Sequence, residues 1–207
     1  MDIIITGNAE ELKRGTHWWN NLEMKWKMAF NEAVFGKGPT IEPPKDEELI
    51  ILLVRADTLR FAGTGAYAPN VTNIPDNLSG VAGLPHLTYL SFTDSKLNSL
   101  KEISGLVNLR HLYVYNNELS SLIGVEKMIH LEELVAHNNT ITSLQPVRKL
   151  TNLKTLYVAY NRLTSLDGIT AAHEKNLVNF HVLPNDQLRQ REIIRVQNNY
   201  GILCKKG

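Results

Sequence analysis

Leu90, Leu112, Leu134 and Leu156 stand 22 residues apart, and Leu87, Leu109, Leu131 and Leu153 keep the same step. So do Phe92, Val114, Ala136 and Val158. The line LVNLRHLYVYNNELSSLIGVEK at 106–127 lies almost residue for residue over LTNLKTLYVAYNRLTSLDGITA at 150–171. One such copy cannot enclose a core of its own. Apolar residues at a fixed period of about 20–30 are buried only when successive copies stack. The period therefore restricts this chain to a solenoid and disfavours a deep catalytic pocket.

Within a copy, Leu112-Tyr113-Val114 alternates apolar and variable residues, the pattern of a short strand with one buried face. Asn117, Asn139 and Asn161 follow where the chain leaves the strand. An inward amide there can bond backbone groups of its own turn and the next, forming a structural ladder. Leu119, Ile141 and Leu163, then Leu122, Leu144 and Leu166, fill the opposite side. The short return path fits a 3₁₀ turn or an extended piece rather than a long helix. The expected fold is an α/β right-handed solenoid. A curved parallel sheet lines its concave face, and 3₁₀ or extended segments form its convex side.

The pattern weakens outward. Leu177, Phe180, Val182 and Asn185 read as a degenerate copy at 177–188. Leu49, Leu52, Val54, Asp57 and Leu59 read as another at 49–59. Between the latter and Leu84 lies a stretch rich in Gly, Pro and Asn at 63–83, expected as an enlarged loop. Ser95 replaces the ladder Asn in the first clear copy, which predicts a weaker ladder there. Residues 16–36 read as one helix, with Thr16 as N-cap, Gly36 as stop, and Trp19, Leu22, Trp26, Ala29, Phe30 and Ala33 on one face. Asp186 is expected to cap a helix over about 187–199 that Gly201 ends. The organisation expected is an N-terminal helical cap and connector at 1–45, repeats at 46–188 (clear copies at 84–171) and a C-terminal cap at 186–207.

Charge is nearly balanced, 22 Lys and Arg against 21 Asp and Glu, so no global field draws the chain to nucleic acid. No apolar run is long enough for membrane insertion, and no signal peptide is visible at the start; a cytoplasmic location is expected. The single cysteine, Cys204, excludes an intrachain disulfide. Lys205 and Lys206 beside it are expected to lower its pKa slightly. The sequons at Asn70, Asn77 and Asn138 read as turn and ladder residues. No phosphate loop, nucleophile elbow or H-E-x-x-H stands in the chain, so no enzymatic activity, cofactor or metal is expected.

Strand alternation turns the residues between the leucines to the open face. Tyr89, His111, Tyr113, Tyr115, Glu133, His137, Tyr157, Tyr160 and His181 are the candidate binding residues. Five of the seven tyrosines in the chain fall in this set. Rigid aromatic side chains with a polar tip are what binding hot spots use. His111, His137 and His181 lie in different rows and columns, which does not suit zinc.

Residues 84–171 resemble the leucine-rich repeat superfamily. The period, with Ser99-Leu100, Ser121-Leu122, Ser143-Leu144 and Ser165-Leu166, is similar to the internalin-like subclass. Trp19, Leu22, Trp26 and Phe30 look similar to the helical N-caps of bacterial repeat proteins. The resemblance implies binding of an unidentified protein or peptide through the concave sheet; a monomer is expected rather than a dimer. Self-association through an edge or the aromatic cap is the alternative, as is binding of a carbohydrate or cell-surface ligand by a secreted form.

Overall fold

The structure is a computed structural model that describes residues 8–207. Its strands are β1 (Thr58–Ala62), β2 (Tyr89–Thr93), β3 (His111–Tyr113), β4 (Glu133–Val135), β5 (Thr155–Tyr157), β6 (Asn179–Leu183) and β7 (Cys204–Lys206). They form one parallel sheet in chain order. Leu90, Leu112, Leu134, Leu156 and Phe180 are directly paired across it and fully buried. The 22-residue step is thus the distance from one strand to its neighbour. The second leucine of each copy (Leu100, Leu122, Leu144, Leu166) closes the core from the far side and is also fully buried.

The serine before each of those leucines starts the return path. Ser99, Ser121, Ser143 and Ser165 each accept a bond at Oγ from the N–H two residues on, at 2.8–3.2 Å. This is the local turn short hydroxyl side chains favour. Gly124 and Gly168, at φ 122° and 112°, carry the backbone against the preceding repeat. A Cβ there would stand 2.3 Å from Leu100 O and 2.1 Å from Leu144 O.

The asparagine ladder is continuous from Asn117 to Asn185. Asn139 Nδ2 donates to Val114 O (3.0 Å), Ala136 O (3.2 Å) and His137 O (3.2 Å), while Oδ1 accepts from Leu119 N (2.9 Å). Asn117, Asn161 and Asn185 do likewise. At Ser95 the chain departs from this pattern, as its sequence predicts: Oγ donates to Pro75 O at 2.8 Å. Proline has no N–H to offer, so no amide oxygen is needed there. A second ladder escaped the sequence reading. Asn108, Asn152 and Asn176 each donate to a carbonyl of the preceding turn (Pro85, Ile129 and Thr151) at 2.8–2.9 Å.

The N-terminal segment departs from expectation twice. The helix expected over 16–36 is two helices, α1 (Asn8–Asn21) and α2 (Met24–Ala33). The break at Leu22-Glu23 keeps the phase of the apolar stripe, so periodicity cannot reveal it. Trp19, Trp26 and Phe30 are buried all the same. Thr16 lies inside α1, and its hydroxyl donates to Leu12 O at 2.9 Å. The upstream repeat copy at 49–59 is a correction. Residues Asp46–Val54 form α3, and the first strand begins only at Thr58. A leucine pair three apart suits a helix as well as a repeat. The strand signal lies instead in Leu59 and Phe61, which pair with Leu90 and Phe92. Acidic Asp46, Glu47 and Glu48 favour the helix start.

The loop at 63–83 seals the outer edge of β1. Asn70 Nδ2 donates to Arg60 O (2.8 Å) and its Oδ1 accepts from Ala62 N (2.7 Å), doing for the first strand what the ladder does elsewhere. Asn77 Oδ1 accepts the Trp26 indole N–H at 3.0 Å. Gly80 lies under that indole, where a Cβ would fall 2.2 Å from the ring. At the other end, α4 (Gln190–Tyr200) starts after Arg189 rather than at Asp186 and is ended by Gly201 at φ 67°. The chain then adds β7, which the sequence reading took as cap. Burial there pushes the Cys204 thiol up to about 11, against the lowering expected from its lysine neighbours.

Candidate functional site

The side chains that alternate with the buried leucines share the opposite sheet face. Pairing places Tyr89, His111, Glu133, Thr155 and Asn179 in one column, and Ser91, Tyr113, Val135, Tyr157 and His181 in the next. Tyr115 and His137 follow two residues beyond Tyr113 and Val135. All nine residues expected at the binding face are half-buried or exposed. Eight of them form two groups, and Tyr160 stands apart.

The first group gathers around Glu133. Tyr113 donates its hydroxyl to Glu133 Oε2, and His111 Nδ1 lies 3.2 Å from the same oxygen. Tyr89 packs on Tyr113 at 5.2 Å between ring centroids and on His111 at 6.0 Å. The hydroxyl of Tyr113, then His111, hold the Glu133 carboxyl below its ordinary range. Burial first, then the bond to the carboxylate, push the Tyr113 phenol up. Glu133 is therefore occupied by its own neighbours. It fixes two rings rather than waiting for a proton.

The second group is a ribbon of packed rings, parallel at Tyr115 and His137 and tilted by 34° and 43° at the next two pairs. Tyr115 and His137 are 4.8 Å apart with planes 6° from parallel. His137 and Tyr157 are 4.4 Å apart, and Tyr157 and His181 5.2 Å. Tyr115 and His137 stand one repeat apart at equivalent positions on strands about 4.8 Å apart, whereas Tyr157 pairs with Val135 and meets His137 diagonally. Each ring packs against the next; His181 Nδ1 lies 2.6 Å from Lys206 O, and Gly207 lies against the Tyr157 ring. Burial holds the His137 imidazole below its ordinary value, partly offset by Asp94.

The rim is a chain of amides the sequence reading did not connect. Asn138 Nδ2 donates to Asn116 Oδ1, and Asn116 Nδ2 to Asp94 Oδ1, each at 2.8 Å. Asp94, Asn116 and Asn138 share left-handed backbone with Tyr160, at φ 52–56°. Asp and Asn tolerate that conformation, whereas tyrosine adopts it at a cost. Tyr160 is 50% exposed, and no ring contact to it occurs among the described residues. Within the described residues no group of His, Cys, Asp and Glu could hold a metal ion. The three histidines of this face are separated by tyrosines.

Residues 129–171 match the family described as Leucine Rich repeats (2 copies). That segment carries leucine-rich repeats. A leucine-rich repeat protein of Leptospira interrogans is similar to it at 22% identity and TM-score 0.56, over 70% of this chain and 36% of that one. Internalin C2 of Listeria monocytogenes strain 4b F2365 shares 24% identity over 53% of this chain and 46% of its own, with TM-score 0.46. A second internalin of that strain shares 18% over 70% and 55%, with TM-score 0.43. The chain thus spans from about a third to just over half of the solved structures it matches. No curated protein matches it. The leucine-rich repeat fold commonly serves protein binding, and its members are generally non-enzymatic. None of the described helices is long and apolar enough to cross a membrane.

Proposed function

We propose that this chain is a non-enzymatic protein- or peptide-binding module that works through the Tyr/His face of its sheet. The observation that supports the reading most is the ribbon of packed rings from Tyr115 to His181. Its half-buried tyrosine and histidine rings are already ordered by one another, so little side-chain entropy is lost on contact. Such a surface matches the polar groups of a polypeptide. A sugar ring needs a free aromatic face, and in this ribbon the faces are used internally, which favours the polypeptide over the carbohydrate. The aromatic N-cap is likewise spent on the core: Trp19 and Trp26 are buried beneath it, which disfavours self-association through those rings. A monomer in the cytoplasm accompanies this reading; sizing and cell fractionation test those two points.

The test is capture from lysate of the source cell by wild-type protein and by a Tyr115→Ala, Tyr157→Ala, Tyr160→Ala variant with unchanged circular dichroism. A partner held by wild type and lost by the variant supports the face. Partners held equally by both overturn it and move the site to the cap or the 63–83 loop.

A further inference from the structure

His137 is held between two tyrosine rings. It lies between Tyr115 at 4.8 Å and Tyr157 at 4.4 Å, in the middle strands of the sheet. Among the described residues neither of its nitrogens has a protein hydrogen-bond partner. A neutral imidazole asks for one acceptor, which water at the ring edge supplies. An imidazolium has two N–H donors and a full charge, and this half-buried ring has tyrosine rings on both sides where water would otherwise solvate it. The attraction of a cation for two tyrosine faces recovers part of that loss. The groups facing it from each packed element are few. Asp94 approaches from the turn after β2, Tyr115 from the turn after β3, and Tyr157 from β5; beyond Tyr157 lie His181 on β6 and the segment Lys206-Gly207, which packs on His181 and Tyr157. Glu133 is engaged by Tyr113 and His111, and Asp94 by Asn116. No carboxylate is bonded to His137 itself.

We propose that the ribbon is a proton-operated surface, in which protonation of His137 drives its ring out of the stack between Tyr115 and Tyr157. Above the transition the face is a closed row of neutral rings. Below it, two separated tyrosines flank an exposed cation. If the face is the working surface, as argued above, binding through it is then proton-linked in the range where histidine titrates. The device itself does not depend on that reading. It is measured on the protein alone, so failure of either can be told from failure of the other.

The experiment is a ¹H–¹³C titration of the full chain, labelled in its histidine and tyrosine rings, from about pH 8 to about pH 4. The expected result is a His137 midpoint below that of histidine in the urea-unfolded chain. The ring signals of Tyr115 and Tyr157 move with the same midpoint, and this coupled movement disappears in His137→Gln. If His137→Gln does not fold, His137→Phe keeps a ring in the stack and removes the proton. A midpoint at or above the unfolded value overturns the proposal. So do tyrosine signals that stay fixed while His137 titrates, or that still titrate in the variant.

Discussion

Replacing Asn117 with leucine isolates what the ladder contributes. Its amide donates to Phe92 O (2.9 Å), Val114 O (3.2 Å) and Tyr115 O (3.1 Å) and accepts from Leu97 N (3.2 Å). Leucine has nearly the same size, so no cavity opens for water. Val114 O keeps its bond from Asn139 and Tyr115 O keeps Asp94 N, but Leu97 N–H and Phe92 C=O lose their partner. Each buried orphan costs about 1–3 kcal/mol, which sets the expected loss at about 2–6 kcal/mol. That is a large share of a stability of about 5–15 kcal/mol. In urea, with a slope of about 2 kcal/mol/M, the midpoint should fall by about 1–3 M at unchanged slope. Ser95→Ala, at the equivalent place, forfeits only the bond to Pro75 O and should cost about 1 kcal/mol. Equal small shifts in the two variants, both below about 0.5 M, would refute the claim that the ladder satisfies otherwise orphaned backbone.

Gly168→Ala should destabilise by about 3 kcal/mol or more, since its Cβ would meet Leu144 O at 2.1 Å in backbone that L side chains rarely adopt. Gly105→Ala, in open space, should be near neutral in the same melts. Tyr160→Asn should raise the melting temperature, by about 1 kcal/mol of stability, because asparagine tolerates the left-handed backbone that tyrosine resists; an unchanged or lower value counts against strain at that site. Glu133 has a folded pKa below its ordinary value of 4.5, so its stabilisation is complete above that value and lost as pH falls through the lowered one. Glu133→Gln should therefore be less stable than wild type near neutrality, and the gap should close toward about pH 3 in urea melts. The Cys204 thiol, pushed up to about 11, should react with iodoacetamide at about pH 8 far more slowly than in the unfolded chain.

The legible and illegible parts of the candidate face divide by what carries them. Which residues face outward was readable, because alternation between buried leucines fixes it strand by strand. That Tyr115, His137, Tyr157 and His181 stack into a ribbon was not, because it depends on ring orientation across strands 22 to 24 residues apart. The engagement of Glu133 by Tyr113 and His111, and the amide chain ending on Asp94, were hidden for the same reason. Asn108 and Asn152 stand two repeats apart with His130 between them, and the insertion before Asn176 breaks the step, so the second ladder left only a faint periodic signal.

By itself the sequence determined the repeat, the stacking direction, the buried leucine rows and the main asparagine ladder. These follow from a period repeated four times, where every copy tests the others. Only the tertiary structure decided that Leu49 and Leu52 belong to a helix, that the first strand is Thr58–Ala62 sealed by Asn70, that the N-terminal helix breaks at Leu22-Glu23, and that Cys204–Lys206 add a seventh strand. At the ends of a solenoid each segment has one neighbour instead of two. Its local pattern then fits several conformations equally well, and the choice falls to whatever edge or apolar surface the last repeat leaves to be covered.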